Sequence, residues 1–464
     1  MLEDDILLEI FNYYRLADEN AWNERIGWCK LSHVCRRWRH LVYSSTFHLG
    51  MHIRCTQDTP IVDTLDHLPP LPLVVHYHLR RGFVDNNVKV PRDWLPISEE
   101  VELRLYHALG LSDRVRRIKL FLRPSTLHKS VMLMDKSFPL LEHLSLSAIN
   151  DEITALTLPT TFLAPNLRYL ILIGIGLPKR LRLLTSTVSL DTLILQNIPA
   201  SRYFRPRLLL VRLQSLPQLE ELSIGFSIPI PRPSAERELL GKQGTPVMLS
   251  KLKIFRFQGV CAYLERLVSQ MRAPLLEQLD VTLFNQIAFS LPHLTNFVYL
   301  TKIKLPTALV SFQHNEVFIA LEDYDDPWDR YFVLRVRCKP LDWQIDCMAQ
   351  ICSAFMPTFS GVEKLTLRPN GWIEMLYDEI DGTTWHDLLR PFCGVKELFI
   401  DYKFEEELSR ALEVGEIGLD PGFLPDLQEL EWWNIGEHAD FLFGSFLHAR
   451  RLVGRPISSR LRNS

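Results

Sequence analysis

A six-residue phrase, apolar-x-x-apolar-x-apolar, recurs along most of the chain and constrains its fold more than any other feature. The last three residues of each copy alternate apolar and polar, which predicts a strand with one buried face. The segments between copies are longer, and several space their apolar residues as a helix does. The copies are VRRIKL (115–120), LEHLSL (141–146), LRYLIL (167–172), LDTLIL (190–195), LEELSI (219–224), LKIFRF (252–257), LEQLDV (276–281), LTKIKL (300–305), VEKLTL (362–367), VKELFI (395–400) and LQELEW (427–432).

These copies predict a stacked array rather than an ordinary Leu-rich α/β domain. One strand–helix unit cannot bury its own apolar face, so neighbouring units must stack on it. Strands joined by right-handed helical crossovers pair in parallel. We therefore expect an α/β array with a parallel sheet, beginning with two weaker strands at 48–55 and 72–79.

Two regions depart from this regularity. NEVFIALE (315–322) and RYFVLRVRC (330–338) flank an acidic turn, which predicts a hairpin or an irregular repeat at about 306–340. The arginine-rich C-terminal tail predicts a frayed, solvated end.

In the first fifty residues, the apolar side chains are spaced as on one face of a helix. Leu2, Ile6, Ile10 and Tyr14 are spaced by four, and Leu7 with Phe11 lies beside them. A second stripe follows a polar break. Two or three short helices here carry more apolar surface than about 45 residues can bury, so a partner or the repeats must cover part of it. The second stripe contains Trp28, Leu31, Val34, Cys35, Trp38 and Val42.

Composition narrows the function classes. The chain has 52 basic and 55 acidic residues, so its formal net charge of −3 gives no reason to expect nucleic acid as a partner. No apolar run reaches the ~18 residues that cross a bilayer, and we expect no membrane association. The eight cysteines include no CxxC pair and read as reduced thiols of a cytosolic or nuclear protein.

Several possible catalytic or metal sites are weak. His76 and His78 share one face of a predicted strand but lack an obvious third metal ligand. An acidic cluster lacks the Gly and closing Glu of a calcium loop, and its members are Asp323, Asp325, Asp326 and Asp329. No hydrolase, metalloprotease or phosphate-loop motif is present. We expect no catalytic residues, no metal and no cofactor.

The recurring phrase is similar to the leucine-rich repeat, LxxLxL. The Asn or Cys that usually follows is mostly absent, and Asn197 is a partial exception. The resemblance implies a solenoid whose parallel sheet lines the concave face. The positions between the strand leucines would then face a target, and the row begins basic and ends acidic with aromatics. The candidates are Arg117, Lys119, His143, Tyr169, Glu221, Arg256, Asp280, Lys302, Lys304, Glu397, Glu429, Glu431 and Trp433.

The N-terminal stripes resemble an F-box. LEDDILLEIF (2–11) is similar to its LPxEILxxIF opening, with Glu3 at the position of the usual Pro. LSHVCRRWRHLV (31–42) is similar to its LxxVCxxWRxL close. With phrases such as SDRVRRIKL and LLRPFCGVKELFI, the chain resembles fungal, basidiomycete-type F-box proteins with a degenerate leucine-rich-repeat tail.

This resemblance implies an F-box at 1–47, followed by a leucine-rich-repeat-like solenoid at 48–464. It implies a non-catalytic substrate receptor that binds a Skp-type adaptor of a cullin ubiquitin ligase through the F-box and a target protein through the solenoid. A scaffold that no longer binds the adaptor is the alternative. Some of the F-box candidates must form its core rather than its interface. These candidates are Leu2, Ile6, Leu7, Ile10, Phe11, Leu31, Val34, Cys35 and Trp38.

Overall fold

The computed structural model contains two compact units, each built around a sheet. One comprises Met1–Phe204 with Ser215–Leu219, and the other comprises Arg205–Gln214 with Glu220–Ser464. The structure describes residues 2–19, 27–45, 52–57, 70–78, 98–148, 156–178, 182–227, 246–284, 286, 288–301, 306–322, 330–338, 341–369, 382–412, 423–434 and 443–463.

The first unit begins with helices and continues as a parallel sheet. Three helices come first, α1 (Asp4–Glu19), α2 (Gly27–Val34) and α3 (Arg36–Ser44). The strands pair in chain order, and every described pairing among them is parallel. They are β1 (Ile53–Cys55), β2 (Leu73–His78), β3 (Val115–Leu122), β4 (His143–Ala148), β5 (Tyr169–Ile173) and β6 (Thr192–Ile198). Between them lie α4 (Glu99–Gly110), α5 (Pro124–Met132) and α6 (Arg182–Ser186).

The second unit repeats this plan, with one irregular region. Its main-sheet strands are β7 (Glu221–Phe226), β9 (Ile254–Gly259), β11 (Gln278–Phe284), β12 (Thr307–Phe312), β13 (Val317–Glu322), β14 (Arg330–Arg337), β15 (Lys364–Pro369), β16 (Glu397–Ile400), β17 (Glu429–Asn434) and β18 (Ser458–Asn463). Two short strands, β8 (Val247–Met248) and β10 (Met271–Arg272), pair separately. The helices are α7 (Pro206–Leu213), α8 (Cys261–Val268), α9 (Pro292–Tyr299), α10 (Leu341–Ala354), α11 (Met356–Phe359), α12 (Gly382–Leu389), α13 (Glu405–Leu412) and α14 (Gly444–Leu452).

The core lies between the leucine face of each sheet and the helices. Leu144 of β4 is in register with Leu170 of β5, which is in register with Leu193 of β6, and all three are fully buried. In the second unit Phe297 of α9 packs edge-to-face on Phe255 of β9, with ring centroids 6.4 Å apart. Stacking therefore hides the face that an isolated repeat would expose.

The same turn introduces nine of the described strands. The N–H of Leu141 donates to the carbonyl of Phe138, three residues earlier, at 3.2 Å, and Leu276 donates to Ala273 at the same distance. A Pro occupies the second position of several of these turns, where its fixed φ suits the geometry. The first apolar residue of these nine phrases thus closes a turn. The same bond precedes Leu167, Leu190, Leu219, Leu252, Val362, Val395 and Leu427.

An antiparallel insertion interrupts the second sheet. β13 pairs antiparallel with both β12 and β14, while β14 pairs parallel with β11 and β12 pairs parallel with β15. The strand predicted at 300–305 falls mostly on residues 302–305, which lie outside the described part, and the next described strand begins at Thr307. The three strands β12 to β14 thus occupy the place of regular repeats.

The C-terminal tail is ordered, contrary to the expectation of a frayed end. β18 pairs in parallel with β17 from Ser458 to Asn463. Arg450 of α14 is buried, and its guanidinium donates to the carbonyls of Pro425 and Leu427 at 3.3 Å each. Arg450, one of the arginines that suggested a solvated tail, therefore supports the last turn of the array. Together these features confirm the fold class: a mixed α/β chain with an N-terminal helical domain and stacked repeats on a parallel sheet.

Trp385 of α12 provides a test of this core. It is fully buried against Phe312, at 5.9 Å, and Phe404, at 5.6 Å. Its indole N–H has no hydrogen-bond partner among the described residues. Trp385→Ala should therefore lower the free energy of unfolding by about 3–5 kcal/mol, because it leaves a cavity. Trp385→Phe loses no hydrogen bond and should cost clearly less. Urea unfolding measures both, and equal losses would contradict the packing described.

Candidate functional site

The N-terminal helices divide their apolar residues between a core and an exposed stripe. Leu7, Phe11 and Leu31 are buried. Phe11 of α1 and Trp38 of α3 pack edge-to-face, with ring centroids 4.7 Å apart. Because Trp38 is half-buried in this contact, it supports the helices from within.

The exposed stripe lies along α1. Leu2, Ile6, Ile10 and Tyr14, which are spaced by four, are exposed to solvent. Tyr13 beside them is 80% exposed. Val34 at the end of α2 is 59% exposed, and Cys35 is exposed beside it. An apolar row of this size on a short helix marks a contact surface. The stripe is Leu2, Ile6, Ile10, Tyr13 and Tyr14.

Arg37 of α3 holds the start of α1. Its guanidinium donates to the Asp4 carboxylate at 3.0 Å and to the Leu2 carbonyl at 2.6 Å. The Glu3 carbonyl accepts the Leu7 N–H at 3.1 Å, so the first helical turn closes where the family pattern has Pro. Cys35 caps α3, since its sulfur accepts the Trp38 N–H at 3.4 Å. The Arg37 contact was not predicted from the sequence.

The second candidate surface is the face of each sheet opposite the leucines, called the open face. In the first unit, register places Arg117 opposite His143 and His143 opposite Tyr169. Lys119 lies opposite His76 on the other side. The rings of His143 and Tyr169 lie 5.5 Å apart. Four of the predicted target-facing residues, Arg117, Lys119, His143 and Tyr169, therefore share one surface.

In the second unit, open-face charges pair across neighbouring strands. Arg256 pairs with Glu221, and Arg335 pairs with Asp280. Lys364 pairs with Glu397 at 3.1 Å. Arg460 of β18 pairs with Glu429 at 3.0 Å, and register places it opposite Glu431. These ion pairs neutralise much of the charge on the side chains that were predicted to face a target.

The open face of the second unit is interrupted at the antiparallel insertion, where an irregular segment was predicted. The outward positions of the insertion form a buried apolar cluster of Leu309, Phe318, Ala320 and Val333. Lys302 and Lys304 lie outside the described residues. Trp433 lies in β17, but its side chain is outside the described part.

A further row of ion pairs links successive repeats at the second position of the phrase. Arg116 contacts Glu142 at 2.9 Å, and Arg168 contacts Asp191 at 2.6 Å. In the second unit Lys253 contacts Glu220 at 3.0 Å and Lys396 contacts Glu363 at 2.9 Å. Alternation of charge from one copy to the next was visible in the sequence. Solvent screening limits each exposed pair to about 0–1 kcal/mol.

Asn197 does not form part of a buried ladder. It is exposed and has a φ of 53°, a left-handed conformation that Asn tolerates better than most residues.

Within the described residues, no three His, Cys, Asp or Glu side chains group to hold a metal ion. The rings of His76 and His78 stack at 5.0 Å. The acidic cluster at 323–329 lies outside the described part. Burial raises the pKa of Glu405 to about 7, and Asp401 adds to the effect.

None of the described helices is long and apolar enough to cross a membrane.

Comparison with known proteins bears on the N-terminal helices. The F-box domain family model matches residues 1–49, the segment that holds the exposed stripe. This chain carries an F-box domain at its N-terminus. A comparison with curated proteins found no match.

Two solved structures are similar to the chain. One is a TLR13–ssRNA13 complex, at 13% identity and a TM-score of 0.34, over 89% of this chain and 49% of that one. The other is the leucine-rich repeat-containing protein LegL7 from Legionella pneumophila, at 13% identity and a TM-score of 0.28, over 74% of this chain and 99% of that one. The chain thus spans about half the length of the first.

His76 should report the charge of the first open face. Burial and, after it, the charges of His78, Lys119 and Arg54 together lower its pKa from 6.5 to about 4. The folded pKa lies below the unfolded one, so the stability that neutral His76 contributes is complete above about pH 6.5 and is lost as pH falls towards 4. In an NMR titration, Lys119→Gln should raise the midpoint of His76, while burial keeps it below 6.5. A wild-type midpoint near 6.5 would contradict this surface.

Proposed function

We propose that this chain is the substrate-recognition subunit of a Skp–cullin–F-box type ubiquitin ligase. The F-box would bind a Skp-type adaptor, and the repeats would bind a target protein. Other subunits would supply the chemistry, so the chain itself would be non-catalytic. The same proposal includes an F-box at 1–47 and a repeat solenoid at 48–464. It also includes a cytoplasmic or nuclear location and a relationship to the fungal F-box proteins.

The observation that carries the proposal is the exposed stripe of the F-box. The F-box match makes an adaptor the natural partner. Ile6 and Ile10 are each 46% exposed on α1, although Leu7 and Phe11 from the same helix are buried. Apolar side chains left open in this way gain free energy when a partner buries them. We assign Leu2, Ile6, Ile10, Val34 and Cys35 to the interface.

The target side of the proposal rests on the open faces. Extended sheets with exposed side chains on alternate positions offer many contacts to a protein partner. We assign target contact to the exposed members of the predicted row, foremost Arg117, Lys119, His143 and Tyr169. The paired charges of the second unit would add complementarity rather than most of the affinity.

Ile10→Asp tests adaptor binding directly. The side chain is exposed, so the fold should survive, whereas burying a carboxylate in an apolar interface costs several kcal/mol. Co-purification of the co-expressed adaptor should fall by at least about tenfold. Leu103→Asp is the matched control, because Leu103 is 62% exposed on α4, outside the F-box. It should retain the adaptor.

Trp38 is unsuitable for this test, since its contact with Phe11 makes Trp38→Ala a core change. Undiminished binding by folded Ile10→Asp would refute the assigned interface. No binding by the wild-type chain would favour the alternative, a repeat scaffold that no longer binds the adaptor.

A further inference from the structure

We propose that the open face of the first unit binds an acidic peptide segment, rich in Asp and Glu, of the target protein. The identity of that segment as part of a ligase target rests on the proposed function. The binding itself does not, because no residue of the F-box takes part in it. The surface comprises the outward positions of β1 to β6.

The outward positions concentrate positive charge. Arg54 of β1 alternates with buried Ile53 and Cys55, so it projects from the open face. Arg117 and Lys119 of β3 are exposed there, and His143 of β4 lies opposite Arg117. His76 and His78 of β2 complete the group.

No acidic residue occupies an outward position in the six described strands of this unit. The remaining outward residues are Val74, Phe121, Ser145, Ser147, Tyr169, Ile171, Ile173, Thr192, Ile194 and Gln196. The nearest acids of neighbouring phrases, Glu142 and Asp191, are engaged at the rim by Arg116 and Arg168. Within these strands, Arg54 and Arg117 therefore have no outward carboxylate in register beside them.

The lowered pKa values of the outward histidines reflect this positive charge. Burial lowers the pKa of His143, and Arg117 and Lys119 lower it further. The pKa of His76 falls for the same kinds of reason. A surface that disfavours an additional proton will favour carboxylates that approach it. The open face of the second unit differs, because Glu221, Asp280, Glu397 and Glu429 pair with its cations.

The arrangement of the cations favours a peptide with several separate carboxylates. Arg54 lies on β1, whereas Arg117 and Lys119 lie on β3, two strand spacings of about 4.8 Å away, so the cations offer several contact points spread across the strands. Beyond them, towards β6, the face becomes aliphatic at Ile171, Ile173 and Ile194, where a nucleic-acid backbone would need further positive charge. An extended segment with acidic residues at one end and apolar residues at the other fits this order.

Fluorescence anisotropy with a labelled peptide tests the proposal. A peptide of about ten residues spans the six strands at about 3.3 Å per residue. It should carry alternating Asp and Glu followed by Leu and Val, and a second peptide should replace the acids by Asn and Gln. The full chain should bind the acidic peptide, more weakly as salt rises, and bind the amide peptide at least about tenfold more weakly.

The double variant Arg54→Gln and Arg117→Gln should lose at least about tenfold in affinity for the acidic peptide. The matched control, Lys129→Gln and Lys136→Gln, removes two charges from the same unit outside its strands and should bind normally. In NMR, the acidic peptide should raise the pKa values of His76 and His143, because carboxylates favour imidazolium.

Four outcomes would overturn the proposal: no binding of the acidic peptide, equal binding of the amide peptide, equal loss in the control double variant, or tighter binding of a phosphopeptide or a thymidine oligonucleotide. Adaptor co-purification is measured on the same preparations. If the adaptor fails to bind while the peptide binds, the ligase assignment falls and the peptide surface stands. If the peptide alone fails, the ligase assignment stands and this surface is wrong.

Discussion

The structure depends on one constraint: a single strand with its helix has a leucine-lined face and nothing of its own to bury it. Stacking removes that surface from water, at roughly 25 cal/mol for each Å² of apolar area. Leu144, Leu170 and Leu193 form one such buried column. The parallel backbone pairing, the recurring turns and the rim ion pairs all keep successive copies in the register that this burial requires. The exposed stripe of α1 is the exception, because there the same kind of surface remains open.

Much of the array could be predicted because the relevant signals are local. A period of two identifies the buried face of a strand, and Pro before the phrase sets the turn that precedes it. The F-box was predicted from the resemblance of two short segments to its opening and closing motifs. Spacing could not say which apolar residues face solvent. Leu7 and Ile6 are neighbours in the same stripe region, yet the first is buried and the second is not.

The remaining features depend on residues far apart in sequence. Glu265 accepts the N–H groups of His293 and Leu294, at 2.9 and 2.8 Å, and so caps a helix that begins in the next repeat. The open-face ion pairs depend on register, which the phrase alone does not give. β18 has the sequence SSRLRN, which lacks the apolar alternation of the other strands, so its pairing with β17 could not be predicted.

In the proposed function, two surfaces of one unit act together: the apolar stripe would bind an adaptor, and the charged open face would bind a target. Its central claim is that the stripe on α1 is open in the free chain and is covered only by the adaptor. Side-chain footprinting of the full chain, alone and with the adaptor, tests this most directly. The account predicts that Ile6 and Ile10 are labelled in the free chain and protected by the adaptor, while Leu144 stays unlabelled in both. Protection of Ile6 and Ile10 in the free chain, or labelling unchanged by bound adaptor, would contradict it.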